Sequence, residues 1–484
     1  MAGFAAFLLV ASVATADDTH YRAVPIGAHA VGLGGAFAGV ADDASAAFFN
    51  PGGLSLSKNF GLAGGLSINA WERFDLDRAL EQEDGTATAT TKTGRTVPIF
   101  IGAVLKFGPK DKREQKKFAL ALSVVEPIFS TTGVFLKFRA AQLELTDSYR
   151  INESDRATWY GLSFASRLDL KQSIGASLYL SVRKLNHSEN GLTLAGGTPL
   201  PDDSGGFVGT TSAANAQSLS FKAFHFVLRF GWLYRIKPRL QLGVMLQLPG
   251  IPLKQTVDTL SQGFATDTSD PSMPGITVPY FSEGNVNARL PLPGELEVGL
   301  EYWPAEKVML AFDASIHSPV RSGRRVTTED PLPVGGFFFD DETARRFIGN
   351  VAIGGDFYIN KKVMIEAGFF TDLSSANDIP ADPERYHSPQ TNRFGGTLSV
   401  GINVAGIALA IGSTVIYGKG DATGVVADVN NLAVDYTRTQ ASSRIVYLHL
   451  TGATRAAGDV STMTAREVKK RRERKQKEAE EAKP

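Results

Sequence analysis

Cysteine is absent from the 484 residues. That excludes a disulfide framework and every thiolate metal site. An excess of charge is missing too: 50 basic residues balance 50 acidic ones, so no net field draws the chain toward nucleic acid or an acidic partner. Long hydrophobic runs are also lacking. A membrane helix needs about 20 apolar residues, and the one apolar stretch near the start, 3–16, is shorter and ends in Ala14-Thr15-Ala16. It reads as a signal peptide, residues 1–16, cleaved before Asp17, although no Lys or Arg precedes the apolar run. Glycine, by contrast, is plentiful at 49 residues, about a tenth of the chain against a usual ~7%.

Seven of those glycines fall in the short stretch 24–54, VPIGAHAVGLGGAFAGVADDASAAFFNPGGL, built almost wholly of Gly, Ala and small apolar residues. Small residues let backbone pack closely against surrounding walls, and they carry too little bulk to build a core of their own. The stretch reads as a compact insert inside something larger. Asp42 or Asp43 suits the cap of a short helix over 44–49, with cation binding the lesser reading, and Pro51 stops that helix at Asn50. GLGGAF at 32–37 lacks the third glycine, the preceding strand and the following βαβ unit of a dinucleotide loop.

Beyond the insert the dominant signal has period two. Leu240, Leu242, Val244, Leu246 and Leu248 alternate with Arg239, Gln241, Gly243, Met245 and Gln247. Leu296, Val298, Leu300 and Tyr302 alternate with Glu295, Glu297, Gly299 and Glu301, and 392–404 repeats the pattern. A strand sorts such residues onto two faces, whereas a helix scatters them. The reading yields fourteen strands near 60–74, 97–107, 117–128, 155–169, 173–186, 217–236, 239–258, 293–303, 307–319, 345–359, 362–373, 392–404, 407–418 and 442–452. Six short turns (108–116, 170–172, 237–238, 304–306, 360–361, 405–406) alternate with seven long connections (75–96, 129–154, 187–216, 259–292, 320–344, 374–391, 419–441). That layout belongs to an all-β fold, a 14-stranded antiparallel transmembrane β-barrel of the Gram-negative outer membrane, with periplasmic turns, external loops and both termini periplasmic. A barrel this wide leaves an empty lumen. Residues 17–59 therefore read as an N-terminal hatch, 60–453 as the barrel, and 454–484 as a charged periplasmic tail, with nine Lys or Arg and five Glu in 465–484. Because of the tail, the strand carrying Arg444-Ile445-Val446-Tyr447-Leu448 must present any signal to the barrel-assembly machinery internally.

No catalytic constellation emerges. The seven histidines, His20, His29, His187, His225, His317, His387 and His449, show no ligand spacing and read as polar loop residues. His187-Ser188 and His387-Ser388 are sequence neighbours, which on a strand point to opposite faces. No enzyme activity, metal or cofactor is expected. Apolar residues in the outer loops are less easily set aside: Leu192, Leu194, Phe207 and Val208 in one, Phe264, Ile276, Val278 and Phe281 in the next, Phe337-Phe338-Phe339 in a third. They either pack loop on loop or form a hydrophobic capture groove. Pro127, after Glu126, either ends the third strand or kinks it and opens a gap in the wall.

On these residues the chain resembles the FadL/TodX family of outer-membrane transporters for long-chain fatty acids and other hydrophobic compounds. The likeness rests on GLGGAFAGVADDASAAFFNPGGL, on Leu290-Pro291-Leu292-Pro293 leading into a strand, and on the strand run 346–418. It implies a monomer in outer-membrane lipid whose partner is a hydrophobic small molecule. Ligand would be caught in the outer groove, reach a site beside the hatch, and leave sideways through a kinked strand at Glu126-Pro127 after a hatch shift. The family's Asn-Pro-Ala hatch motif falls on Asn50-Pro51-Gly52, with Gly in place of Ala. A related barrel group with a similar segment serves protein secretion and surface attachment, and that is the alternative reading.

Overall fold

The computed structural model describes residues 19–22, 26–57, 60–82, 85–110, 116–140, 145–195, 198–199, 207–208, 211–267, 276–286, 291–320, 345–360, 362–383, 389–404, 407–428 and 433–454. The signal-peptide and tail assignments, Phe337-Phe338-Phe339 and His387 lie outside them.

The strands are β1 (Phe60–Gln82), β2 (Gly85–Lys110), β3 (Lys116–Ala140), β4 (Leu145–Arg167), β5 (Gln172–Ala195), β6 (Thr198–Pro199), β7 (Phe207–Val208), β8 (Thr211–Lys237) and β9 (Leu240–Gln247). There follow β10 (Ile251–Asp267), β11 (Ile276–Val286), β12 (Glu295–Ala305), β13 (Val308–His317), β14 (Ile348–Tyr358), β15 (Val363–Asp372), β16 (Gln390–Val404), β17 (Ile407–Asp428) and β18 (Ala433–Ala453). Fourteen of them close a ring in the order β8-β5-β4-β3-β2-β1-β18-β17-β16-β15-β14-β13-β12-β9, and the β8–β9 pairing completes it. Each of the fourteen strands is therefore paired on both sides over at least part of its length, which is how strands cross lipid. No helix among the described residues is long and apolar enough to cross a membrane.

The two faces of the wall follow the sequence alternation. Leu296, Val298, Leu300 and Tyr302 are exposed on the outside, while Glu297 is buried within. Phe394, Leu398, Val400, Ile402 and Val404 face outward, while Thr397 and Ser399 are buried. The apolar belt lies on the outside and the polar residues inside, as lipid requires.

The strands are longer than their alternation suggests. The connection expected at 75–96 is mostly strand, with β1 running to Gln82 and β2 starting at Gly85. The connections at 129–154 and 419–441 become strand in the same way, through β3 and β4 and through β17 and β18. Outside a lipid belt neither face needs to be apolar, so a strand there carries no period-two signal. The expected strand 239–258 is interrupted at Leu248-Pro249-Gly250 into β9 and β10. Proline has no N–H for the ladder, and the flanking amides bond separately, Leu248 to the Leu228 carbonyl (3.0 Å) and Gly250 to that of Leu292 (3.0 Å). β10 then continues along β8 and takes β11 on its other side, extending the sheet past the ring.

The N-terminal segment contains two one-turn helices, α1 (His29–Gly32) and α2 (Ala46–Phe49), and a 3-10 turn, Pro51–Ser55. Nearly all of it is buried, and it shares one apolar cluster with inward wall residues such as Phe100, Trp159, Tyr179, Met309 and Phe370. Leu33, Phe37 and Leu54 are fully enclosed, each worth about 1.5–3 kcal/mol.

Candidate functional site

The tightest seat of the N-terminal segment is Asn50. Its backbone is extended (φ −157°, ψ 97°), which ends α2 and starts the Pro51 turn. The side-chain amide donates to the carbonyls of Ala38 (2.8 Å) and Trp232 (3.1 Å), and its oxygen accepts from the Gly52 amide (3.1 Å). The wall comes so close that side chains are excluded: a Cβ on Gly243 would lie 1.9 Å from the Ala38 oxygen, and one on Gly231 would lie 2.2 Å from the Asn50 oxygen. A Cβ on Gly52 would lie 3.1 Å from the Gly231 and Ser173 carbonyl oxygens, so glycine fits this position with less crowding than alanine.

Charged groups complete the seat. Asp313 on β13 accepts from the amides of Phe37 (2.6 Å) and Ala38 (2.7 Å). Asp43 accepts from the Ser45 amide (2.7 Å) just before α2, and burial followed by the neighbouring Asp42 raises its pKa. Asp42 does not cap α2; its carboxylate meets His29 Nδ1 at 3.0 Å, and His29 Nε2 meets Asp356 on β14 at 3.0 Å. Burial would lower the His29 pKa, but Asp356 and Asp42 outweigh it and hold the ring well above its usual range. The reading of the histidines as polar loop residues is corrected here: His20, His29, His225, His317 and His449 are all buried. A polar strand residue facing a filled lumen looks, in sequence, like a polar loop residue.

Between segment and wall lies a small cavity of about 70 Å³. Ile26, Val31, Phe48, Phe49 and Phe370 give it apolar surface, and Arg22, Arg229, Glu295 and Glu297 give it charge. Arg22 bonds Glu297 (2.6 Å); Arg229 bonds Glu295 (3.0 Å) and Gln247 (2.8 Å), with its guanidinium carbon 3.9 Å from the centre of the Phe48 ring. The cavity thus joins aromatic faces to two compensated arginines, Arg229 buried and Arg22 partly buried. Nothing in the local sequence of Arg22 or Arg229 marked them, since their partners are 275 and 66 residues away.

The second feature is in the wall. The β2–β3 ladder runs from Lys110↔Lys116 to Phe100↔Val125 and goes no further among the described residues. Past that point β2 continues on β1 and β3 continues on β4. The end coincides with a bulge between Val125 and Ile128, which contains Glu126 and Pro127. Val125 and Glu126 are both buried, so the in–out alternation slips there by one residue. Glu126 Oε1 accepts from Arg156 Nε (2.8 Å) and Thr158 Oγ1 (3.2 Å), and Arg156 lies over the Phe129 ring. Pro127 therefore sits within β3 rather than at its end.

The outer-loop residues are placed by their backbones; their side chains lie outside the described residues. Leu192 and Leu194 are in β5, Phe264 in β10, Ile276 and Phe281 in β11, and Phe207-Val208 form β7, paired with β6. Register puts Leu192, Ala214 and Phe264 in one row across β5, β8 and β10.

No family model matches the chain, and no curated protein does. Solved structures do. A FadL homologue of Pseudomonas aeruginosa aligns over 88% of this chain and 98% of its own at 14% identity and TM-score 0.56. The toluene transporter TodX of P. putida aligns over 88% and 97% at 16% identity and TM-score 0.54. A deltaS2 mutant of TodX, described as a monoaromatic hydrocarbon channel, aligns over 89% and 99% at 15% identity and TM-score 0.58. At these identities the likeness is one of fold.

Proposed function

We propose that the chain is an outer-membrane transporter of hydrophobic compounds, long-chain fatty acids among them, in which residues 17–59 act as a hatch and cargo leaves sideways between β2 and β3. The observation that carries this reading is the unpaired seam above Phe100↔Val125 in a barrel whose lumen is otherwise filled. A filled lumen disfavours a polar pore, and a split seam offers lipid as the destination. Apolar cargo passing from cavity to bilayer avoids water, which is worth about 25 cal/mol per Å² of apolar surface kept dry. The solved structures of like fold support the cargo class, since they are described as toluene or hydrocarbon channels.

The cavity's size bears on mechanism. At about 70 Å³ it is roughly half of the ~150 Å³ dry cavity that accepts benzene in another protein. Cargo therefore needs room made by movement of Phe48, Phe49 or the segment that carries them, which fits a hatch that shifts as ligand arrives. Arg22 or Arg229 would face the head group of an acid, and the three aromatic rings its chain. Capture would begin on the β5–β8–β10–β11 extension, at the rows of Leu192, Leu194, Phe264, Ile276 and Phe281, with Phe207 and Val208 of the separate β6–β7 pair as further apolar residues.

Native mass spectrometry of the detergent-extracted barrel, with identification of extracted small molecules, tests the reading. A co-purifying fatty acid or similar amphiphile is the expected result. An empty barrel held by a specific protein would overturn it in favour of a secretion or surface-attachment role.

A further inference from the structure

Four carboxylates and one imidazole are enclosed together where α1 meets the wall. His29, Asp42 and Asp43 come from the N-terminal segment, Asp356 from β14 and Glu366 from β15, and each is more than nine-tenths buried. Carboxylates enclosed this closely either take up protons or share a compensating cation. Ligand atoms of His29, Asp356 and Glu366 all lie within 4.8 Å of one another. The His29 Nε2–Asp356 distance is already 3.0 Å, close to the roughly 3–3.5 Å between neighbouring ligands of an ion bound at about 2.0–2.2 Å. Glu366 supplies the third candidate ligand of the set.

The surroundings are also those of a metal site. Asp42 Oδ1 lies 3.0 Å from His29 Nδ1, so an Nδ1–H held there leaves Nε2 to face Asp356 and Glu366. This is the carboxylate–histidine arrangement that fixes the tautomer and orientation of a ligating imidazole. Tyr358 donates its hydroxyl to Asp356 Oδ2 (3.1 Å), and the His29 amide points at Asp43 Oδ2 (3.4 Å). His29 and Asp356 thus have outer partners before any ion arrives.

We propose that His29, Asp356 and Glu366 bind one divalent transition-metal ion, oriented through Asp42, and that the ion ties the N-terminal segment to β14 and β15. One imidazole nitrogen with two carboxylates suits a borderline ion of the Zn²⁺ type better than Ca²⁺ or Mg²⁺, which prefer all-oxygen shells. Because one ligand comes from the segment and two from the wall, occupancy would bear directly on whether the segment can move. The inference does not depend on what the barrel transports.

The test uses the full chain in detergent, stripped with chelator and then titrated with Zn²⁺, with bound metal counted by elemental analysis. Co²⁺ serves as a second probe, read by its visible absorption. Wild type is expected to take up about one Zn²⁺ per chain. Glu366→Gln and Asp356→Asn should abolish stoichiometric binding, and Asp42→Asn should weaken it about 10–100-fold. Asp378→Asn, which alters an exposed carboxylate paired with Arg346, should bind as wild type does. Heat-dependent gel mobility reports whether each barrel is folded. If the wall variants do not fold, Asp42→Asn decides. No saturable Zn²⁺ uptake by wild type, or unchanged uptake in folded Glu366→Gln or Asp42→Asn, would overturn the proposal.

Discussion

The third strand has two neighbours and treats them differently. Against β4 its ladder runs from Phe118↔Ser166 to Ala140↔Leu145, with one bulge. Against β2 it stops at Phe100↔Val125, although both strands continue well beyond. Strand propensity therefore does not set the limit of the seam, because the same residues of β3 remain strand on the other side. The difference lies in a local offset. The ladder with β2 ends where two consecutive inward residues, Val125 and Glu126, precede a proline without an N–H. An unpaired edge left in hydrocarbon would cost several kcal/mol per backbone group, so the parting strands must be covered or solvated. That makes the split a specific feature of the wall, in contrast to the continuous seams elsewhere, such as β17–β18 from Ala408↔Ala453 to Asp428↔Ala433.

The largest expected effect comes from removing what fills the lumen beside both seams. A chain lacking residues 17–59 should keep the barrel, because closure is made by the wall strands alone. In planar bilayers it should show discrete open-channel steps where wild type shows none. Unchanged conductance would sink the hatch assignment. Gly243→Val is a smaller version of that change. Its side chain would collide with the Ala38 carbonyl, where even a Cβ would lie at 1.9 Å. Overpacking of this kind costs about 1–3 kcal/mol, so a lowered unfolding midpoint and intermittent leak are expected. A fully stable, closed variant would mean that the segment is not held at Asn50 and Ala38.

Next in size is the seam itself. Pro127→Val restores an N–H and a β-branched residue at the bulge. If the split is a sideways exit, uptake of a hydrophobic probe into vesicles should slow severalfold while the barrel stays folded. A net gain of about 0.5–1.5 kcal/mol in stability is expected for each ladder bond recovered. Wild-type uptake rates would remove the exit from this seam.

The wall was more legible in the sequence than its contents. Leu296-x-Val298-x-Leu300-x-Tyr302 against buried Glu297 shows why: lipid imposes one chemistry on the outer face and period two does the rest. The same logic hid the strand extensions near Gln82, Gly85, Ala140 and Asp428, since water on both faces imposes no alternation. The insert 24–54 could be recognised by its small residues, and Asn50-Pro51-Gly52 lies at its tightest seat. His29 could not be assigned, because its partner Asp356 is 327 residues away and no spacing rule joins them. Arg22 and Arg229 share that difficulty. Pro127 is legible because proline acts on the backbone locally, whereas the end of the β2–β3 ladder beside it is fixed only by register.

The smallest expected effect is at the edge of the split, and it is the finest probe of what the seam is. Glu126 is buried, but Arg156, its main partner, has a half-exposed side chain (53%). Solvent on one side of an ion pair keeps its worth to about 0–1 kcal/mol. Glu126→Gln retains the shape and weakens the bonds to Arg156 and Thr158. If the pair stands at the margin of a gap, the unfolding midpoint should move by no more than that amount, and uptake should change less than it does for Pro127→Val. A loss of about 3–5 kcal/mol, the cost of breaking a fully buried pair, would instead place Glu126 in a closed wall, with the seam sealed by packing where its ladder ends.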